Sequence, residues 1–327
     1  MAILFAGGEA DALTPSGPDA YESGGSPYID TTFARVGMRV DASSASAADA
    51  SDYWSTSEWG NETDFWLHCE VYHDTIFVAG QYYRSISIFD TSDQETFRIT
   101  FAREGIRFAY NNLMGGFTTI ETFSLGSTQD NRYTFDFHFE FSASGGVTFY
   151  VSGTQRTAAT GVDLSGLSGG AYARFYSAGK TYWSQIIVSD ESTIGKRLNT
   201  IPPAGVGADT AWVGDYTRVD EPSYSDADFV NSDTAGDVEL FTHANAIPDG
   251  YIVNAVIVSA RSNRGTSGPT NLQLALRSSG TNYFSASKAQ DFGYLTYQNV
   301  WESDPATSAG WLNSAAQTLQ FGVKSIA

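Results

Sequence analysis

The chain has 327 residues, with 18 Lys or Arg against 37 Asp or Glu, and a formal net charge of −19. The acidic residues occur in both halves and no basic stripe interrupts them, which excludes direct nucleic-acid binding because phosphate contacts need Lys and Arg. Aromatic residues make up 14% beside 32 Gly and 9 Pro, and without sustained helical apolar periodicity this composition predicts an all-β protein with very little helix.

The first 30 residues are rich in Gly, Pro, Ser and Ala, and predict an N-terminal arm or a loosely packed first strand. Their apolar start lacks preceding basic residues, unlike a signal peptide, and no apolar run reaches the length of a membrane span. Cys69 is the only cysteine, so we expect no disulfide framework and no thiolate zinc site. We therefore predict folding in a reducing cytoplasm without membrane insertion.

Strand-like segments follow in close succession up to residue 188, at the spacing of a β-sandwich or jelly roll. In segment 131–151, four Phe residues at every second position from 135 to 141 alternate with Asp136, His138 and Glu140. Because side chains alternate across a strand, the Phe residues predict a core face and the polar residues an opposite face. A Ser-Gly-Gly break and a second apolar run complete a predicted hairpin.

A Pro pair followed by Ala and Gly at residues 202–205 predicts a hinge between two domains. We expect a jelly roll over residues 31–201 and a smaller C-terminal β-sandwich over residues 206–327, where strand patterns resume. Only residues 225–231 and 286–291 suggest a helical turn.

Two resemblances follow from these segments. The first domain resembles laminin-G or concanavalin-like jelly rolls through its hairpin and its closing strand at 182–188. Segments of the second half resemble virion structural proteins of tailed bacteriophages, whose chains close with an Asp-Pro-x-Thr turn, a Trp and a strand ending in Phe-Gly-Val-Lys. The matching positions are Asp304, Pro305, Thr307, Trp311 and 321–324. This likeness implies a virion component.

Paired carboxylates on one strand are the catalytic arrangement of glycosidases with the concanavalin-like jelly roll. Here Asp136, His138 and Glu140 occupy such positions, but a rise of ~3.3 Å per residue places the two acids roughly 13 Å apart. Glycoside hydrolysis needs roughly 5–5.5 or 6.5–9.5 Å. A third acid from another strand would be required; the alternative is a polar face in water. We therefore predict no catalytic residue.

Other motifs offer little chemistry. Residues 166–170 match G-x-S-x-G, but they lie in a polar turn that precedes a strand, whereas a nucleophile elbow follows a strand and opens a helix. The four histidines show no metal-ligand spacing. No cofactor is predicted, and calcium is kept as an alternative because jelly rolls of this type bind it through acidic loops. The available acidic residues are Asp190, Glu191, Asp226 and Asp228.

Aromatic side chains provide the remaining candidates for a site. They could stack on sugar rings at a glycan-binding face, or they could fill the core and subunit contacts. The candidates are Trp54, Trp59, Tyr82, Tyr83, Tyr182 and Trp183.

Together these features predict a non-enzymatic structural protein of a tailed-phage virion, displayed on the head or tail as a decoration, spike or fibre protein. Its predicted partners are other virion proteins and copies of itself, after synthesis in the host bacterial cytoplasm. One alternative is an adhesin that binds a host receptor or surface glycan through the jelly-roll face. Another is a glycan hydrolase that depends on Glu140.

Overall fold

The computed structural model describes residues 2–7, 14–15, 28–29, 38–41, 53–73, 82–102, 105–114, 116–125, 132–176, 180–220, 225–244, 247 and 251–327. Over these residues helix is confined to α1 (Asn313–Ala316) and a 3-10 turn at Tyr216–Arg218, so the all-β prediction is confirmed. No helix in the described part of the chain has the length and apolar character that a membrane span requires. The chain divides into two compact units, Met1–Leu198 and Asn199–Ala327.

The first unit is built from two antiparallel sheets. In chain order its strands are β1 (Ile3–Gly7), β2 (Thr14–Pro15), β3 (Tyr28–Ile29), β4 (Met38–Asp41), β5 (Tyr53–Ser55), β6 (Asp64–His73), β7 (Tyr83–Phe89), β8 (Glu95–Ala102), β9 (Gly105–Asn111), β10 (Phe117–Ser124), β11 (Arg132–Glu140), β12 (Gly145–Val151), β13 (Thr154–Val162), β14 (Tyr172–Tyr176) and β15 (Lys180–Ser189). Over the described residues the larger sheet has eight strands in the order β13-β12-β11-β6-β15-β4-β3, with β1 also on β15. The smaller sheet has seven, in the order β10-β9-β8-β7-β14-β5-β2.

The start of the chain belongs to this sandwich where the structure describes it. Strand β1 pairs with β15, and Phe5 is buried in the core. Residues 3–7, which the sequence analysis assigns to an N-terminal arm, therefore form a sheet strand.

The two sheets pack face to face through aromatic rings. Phe135, Phe137 and Phe139 on β11 are buried, and their rings meet rings of the other sheet, with centroids 5.2 Å apart for Phe97 and Phe139 and 5.7 Å apart for Phe101 and Phe135. Full burial of each such side chain contributes roughly 1.5–3 kcal/mol. The alternating Phe residues thus form the core face that their spacing predicts.

Strands β11 and β12 form the predicted hairpin, with Phe135 opposite Val151 and Glu140 opposite Gly146. The Ser-Gly-Gly break is required sterically, because a Cβ on Gly146 would collide with the carbonyl oxygen of Ala159 on the neighbouring strand. Gly146 also has φ +149°, which L side chains rarely adopt.

The second unit is a smaller sandwich. Its strands are β16 (Pro203–Thr210), β17 (Val238–His243), β18 (Val256–Ser262), β19 (Asn271–Ser278), β20 (Thr281–Phe284), β21 (Lys288–Ala289), β22 (Leu295–Trp301) and β23 (Gln320–Ile326). The main sheet has the order β16-β17-β23-β19-β20, and β18 and β22 form a separate pair. A buried cluster that includes Val258 and Leu274 joins the two layers.

The Asp-Pro-x-Thr segment is a tight turn in the second unit. Asp304 is buried, its side chain accepts a hydrogen bond from the Ala306 N–H at 3.0 Å, and its carbonyl accepts one from the Ser308 N–H at 2.7 Å. The Trp311 indole then donates to the carbonyl of Trp301 at 2.7 Å. These contacts give the motif an architectural role in closing the unit.

Candidate functional site

The outer face of the larger sheet carries the residues that the hairpin pattern singles out. We call it the carboxylate face, after its acidic residues Asp64, Glu70, Asp136 and Glu140. The register of β11 on β6 places Asp136 opposite His68 and Glu140 opposite Asp64. The polar residues of β11 therefore meet polar residues of β6.

Asp136 does not face water. It is 0% exposed, and its Oδ1 accepts hydrogen bonds at 2.7 Å from both His68 Nδ1 and Thr193 Oγ1. Thr193 follows β15, so the chain after that strand covers this part of the face. The expectation of a polar face in water is wrong at Asp136, because strand periodicity does not reveal a segment that returns over the sheet.

The three buried side chains form a structural network. In a hydrolase triad the imidazole lies between the hydroxyl and the carboxylate. Here the Asp136 carboxylate lies between His68 and Thr193, so the imidazole cannot take the proton of the hydroxyl. A second network stands beside it: Glu70 accepts hydrogen bonds from Arg132 Nε at 2.9 Å and from Gln185 Nε2 at 2.8 Å.

The other end of the carboxylate face is accessible. His138 Nε2 lies 2.7 Å from Asp64 Oδ1, and its ring stacks on Trp66 with centroids 4.5 Å apart. The Tyr150 ring lies beside that of Trp66, with ring centroids 5.5 Å apart. Glu140 is half-buried, and Asp64 is the acid that the register places opposite it on another strand.

The predicted aromatic residues divide between core and surface. Trp183 is 0% exposed, and its ring packs on Phe101 and Phe175 with centroids 5.9 and 5.2 Å apart. Tyr83 is also buried in the core. Neither ring is accessible to a sugar in this structure.

The remaining aromatic candidates lie nearer the surface or outside the described side chains. Trp59 packs against the core edge and donates to the Gly170 carbonyl at 3.0 Å. Tyr82 is half-buried with the Arg107 guanidinium 3.6 Å from its ring centroid. The side chains of Trp54 and Tyr182 lie outside the described residues, although the backbone register pairs Trp54 with Phe175.

The outer face of the smaller sheet carries a constellation that the sequence analysis misses. We call it the arginine face, after Arg84, Arg98, Arg107 and Arg174. These are four of the 18 basic residues of a chain with net charge −19. They lie on β7, β8, β9 and β14, which are consecutive in the sheet.

Glu95 lies at the centre of the arginine face. Arg98 binds it through two nitrogens, at 2.8 and 2.6 Å, Arg84 lies 2.5 Å away, and the Ser87 hydroxyl donates to it at 2.5 Å. Burial acts to raise the pKa of Glu95, but the hydrogen bonds from Arg98 and Ser87 and the charge of Arg84 outweigh it, so the pKa is held below its ordinary value. The carboxylate is therefore ionised at neutral pH.

Aromatic rings flank the guanidinium groups. Arg174 lies 4.0 Å from the ring centroid of Phe89 and 4.5 Å from that of Tyr53. Arg84 lies 4.2 Å from the ring of Tyr176. A guanidinium so close to ring faces gains cation–π attraction and is held in one orientation.

Hydrogen bonds at the end of β14 hold Arg174 further. Its NH2 group donates to Asp93 Oδ1 and to the Tyr172 hydroxyl, and that hydroxyl donates to Asp93. Burial, and then the hydrogen bond to Asp93, raise the pKa of Tyr172, so the phenol stays protonated. The alternation of Tyr172, Arg174 and Tyr176 is the sequence signal that could have revealed this face.

The acidic residues considered for calcium bind other groups. Asp226 accepts hydrogen bonds from Arg261 at 2.8 and 2.9 Å, and Asp228 pairs with Arg218 at 3.1 Å. Asp190 accepts a hydrogen bond from the Ala2 N–H at 2.5 Å. Within the described part of the chain no group of three or more His, Cys, Asp or Glu converges as metal ligands would.

These features define a two-unit β-sandwich protein whose first unit carries polar side chains on both outer faces. Several solved structures have a similar fold. Cellulose-induced protein Cip1 has 13% identity and a TM-score of 0.41, over 55% of this chain and 91% of its own. A conserved carbohydrate esterase from the Shiga toxin-encoding bacteriophage phi24B has 15% identity and a TM-score of 0.38, over 57% and 97%.

A third similar structure is alginate lyase A1-II′ of polysaccharide lyase family 7, with 14% identity and a TM-score of 0.35, over 50% of this chain and 82% of its own. At these identities the likeness is one of fold. Neither protein-family models nor curated proteins give a match to the chain.

The similar folds correct one prediction. The sequence analysis expects a chain that is not an enzyme, and that exclusion is wrong, because the similar structures include a carbohydrate esterase and a polysaccharide lyase. The expectation depended on acids too far apart along a single strand, and the sequence alone did not identify which acid another strand would bring opposite them.

Proposed function

We propose that the chain is a glycan-binding surface component of a tailed-phage particle, and that it binds sugars on the arginine face. One observation carries the proposal: guanidinium groups lie beside the partly exposed rings of Tyr53, Tyr82 and Phe117 on one outer face. The Phe89 and Tyr176 rings on this face are buried and only support the arginines. Rings stack on the apolar faces of sugars, and guanidinium groups donate hydrogen bonds to sugar oxygens. Such a face combines the two kinds of contact that saccharide recognition needs.

The groups on this face are also held in place before a ligand arrives. The side chains of Arg84, Arg98 and Arg174 are 17%, 25% and 18% exposed, so each reaches solvent while most of its stem is packed. A binding face whose rotamers are already ordered loses less entropy on association. This favours a ligand site over a mobile charged surface.

The arginine face is tested by glycan binding to the full chain. In array and calorimetric measurements, Tyr82→Ala should lower affinity about 5-fold by removing a stacking ring. Phe117→Ala should act similarly, since Arg98 lies 4.0 Å from the Phe117 ring on the same face. Tyr150→Ala, on the opposite sheet, is the matched control. Binding that responds only to Tyr150→Ala would move the site to the carboxylate face.

The particle assignment rests on the resemblance of the C-terminal motifs to tailed-phage virion proteins. In this proposal other virion proteins and further copies of the chain are its partners, and the particle displays it on the head or tail. Mass spectrometry of purified particles tests the assignment directly. If this chain were absent from particles whose other structural proteins are all detected, this part of the proposal would be refuted.

A second candidate function is glycoside hydrolysis at the accessible end of the carboxylate face. The register places Asp64 opposite Glu140, and directly opposed residues have Cβ atoms about 4.5–5.5 Å apart. Retaining glycosidases hold their two carboxyl groups roughly 5–5.5 Å apart, a separation that side chains on Cβ atoms this close are able to reach. The Trp66 ring beside the pair offers a surface on which a sugar could stack.

Product analysis separates hydrolysis from binding. If the pair is catalytic, purified protein releases reducing ends from a bound polysaccharide, and Glu140→Gln and Asp64→Asn each lower that rate at least 100-fold. Glu58→Gln, on an exposed loop, serves as the control. Binding without any release of reducing ends would leave glycan binding as the function and remove this candidate.

A further inference from the structure

We propose that the arginine face is selective for saccharides that carry a carboxylate, and that Arg107 holds the carboxylate beside Thr100. This deepens the proposed function and rests on it, since it assumes that sugars bind on this face. The face already holds one carboxylate of the chain itself, that of Glu95.

Glu95 shows how this face binds a carboxylate. Two arginines, Arg84 and Arg98, and the hydroxyl of Ser87 contact it at 2.5–2.8 Å. The hydroxyl lies on the strand between two arginine-bearing strands, because Ser87 is opposite Arg98 on one side and opposite Arg174 on the other. Of these two neighbours Arg98 binds Glu95, whereas Arg174 binds Asp93. The donor set is thus a hydroxyl with the guanidinium groups of Arg84 and Arg98.

A second hydroxyl of this face also lies between two arginines. Thr100 is opposite Arg84 on one side and opposite Arg107 on the other. Because Arg84 binds Glu95, Arg107 is the guanidinium that remains for a second carboxylate. No carboxylate is described there. The Thr100 hydroxyl is buried without a hydrogen-bond partner, and the contact described for Arg107 is with the ring of Tyr82 at 3.6 Å.

These observations favour an anionic group from outside the chain. A buried hydroxyl without a partner is an exception that calls for an explanation, and a ligand acceptor that reaches it as the neighbouring side chains move aside supplies one. Arg107 is half-buried, so its guanidinium can reach a ligand, and guanidinium forks match carboxylates in geometry. A uronic-acid residue placed here would bring its carboxylate to Arg107 and its ring to Tyr82.

The test compares one sugar in two charge states. Calorimetric titration of the full chain uses an oligogalacturonate and the same oligosaccharide after reduction of its carboxyl groups to alcohols. We expect at least 10-fold tighter binding of the acidic form, and weakening of that form alone as salt is raised. Arg107→Gln should remove the preference, because it should weaken binding of the acidic form at least 10-fold more than binding of the neutral form.

Two further variants sharpen the result. Arg156→Gln removes an exposed arginine from β13 of the other sheet and should change neither affinity. Thr100→Val should lower affinity for the acidic form about 3-fold. The free variant should unfold at the same temperature as the wild type or at a higher one, because the hydroxyl has no hydrogen-bond partner to lose.

The outcomes distinguish failure of the carboxylate assignment from failure of the proposed glycan binding. Equal binding of both sugars, an unchanged preference in Arg107→Gln, or tighter binding of a sulfated analogue than of the uronate would overturn the carboxylate assignment. Glycan binding on this face would survive each of these results. If neither these sugars nor any arrayed glycan bound, the proposed function itself would fail.

Discussion

At the scale of single residues, Glu95 is the most strongly coupled group that the structure describes on the arginine face. Glu95→Gln leaves Arg84 and Arg98 facing each other without their shared carboxylate. Removal of one partner from a largely buried ionic network costs about 3 kcal/mol. Urea unfolding at pH 7 should show this loss, whereas the exposed Glu58→Gln should change the free energy of unfolding by less than about 0.5 kcal/mol.

The same residue makes stability depend on pH. The pKa of Glu95 is lower in the folded chain than its ordinary value of 4.5, so the unfolded chain binds a proton first as pH falls. The stabilisation is therefore complete above pH 4.5 and is lost as pH falls through the folded pKa. The stability difference between wild type and Glu95→Gln should shrink in acid, and a difference that stayed constant from pH 7 to pH 3 would contradict this coupling.

Sequence periodicity alone could predict the strand face on which some of these residues lie, but it could not predict which residues they contact. The alternating Phe residues of β11 predicted a buried face, because the pattern along a single strand shows which side chains share a face. Asp136 looked equally exposed to water, yet its partners His68 and Thr193 lie 68 and 57 positions away. Contacts at such separations depend on which strands become neighbours.

At the scale of elements, the glycines of the β12–β13 hairpin offer a matched comparison. Gly146 and Gly161 both have positive φ, +149° and +79°, but only at Gly146 would a Cβ collide with backbone. Gly161→Ala should therefore cost about 1 kcal/mol from backbone strain alone. Gly146→Ala should cost at least about 3 kcal/mol, because β12 must also move away from β13.

Chemical denaturation of both variants measures the difference. Similar losses of free energy in the two variants would show that β13 can yield to the added methyl group, and that the close approach at Gly146 is not essential to the sheet. Far-UV circular dichroism of each variant establishes that the same β structure is being unfolded.

Irregular strands explain why the arginine face was missed while the hairpin was predicted. Strand β11 pairs with β6 and β12 without a register shift, so its side chains keep strict alternation. The pairing of β7 with β8 shifts twice, between Arg84 and Ile86 and between Ile88 and Phe89. Each shift changes which residues share a face, so simple alternation fails for β7 and hides Arg84 and Ser87.

At the scale of the whole molecule, the chain contains two units with separate cores. The first buries a cluster rich in aromatic rings that includes Phe137, and the second buries a smaller cluster that includes Leu274 and Trp311. The Pro pair, and the strand patterns that resume after it, predicted two domains. The assignment of strands to sheets could not be predicted, because sheet order depends on pairings between distant segments.

Separate cores lead to a prediction for thermal unfolding. Phe137→Ala should destabilise the first unit by about 3–5 kcal/mol and Leu274→Ala the second by about 2–5 kcal/mol, through lost burial and the cavity that remains. In scanning calorimetry each variant should lower the temperature of one transition and leave the other unchanged. If each variant lowered the temperature of both transitions, the two units would not unfold independently. They would then unfold together as one cooperative structure.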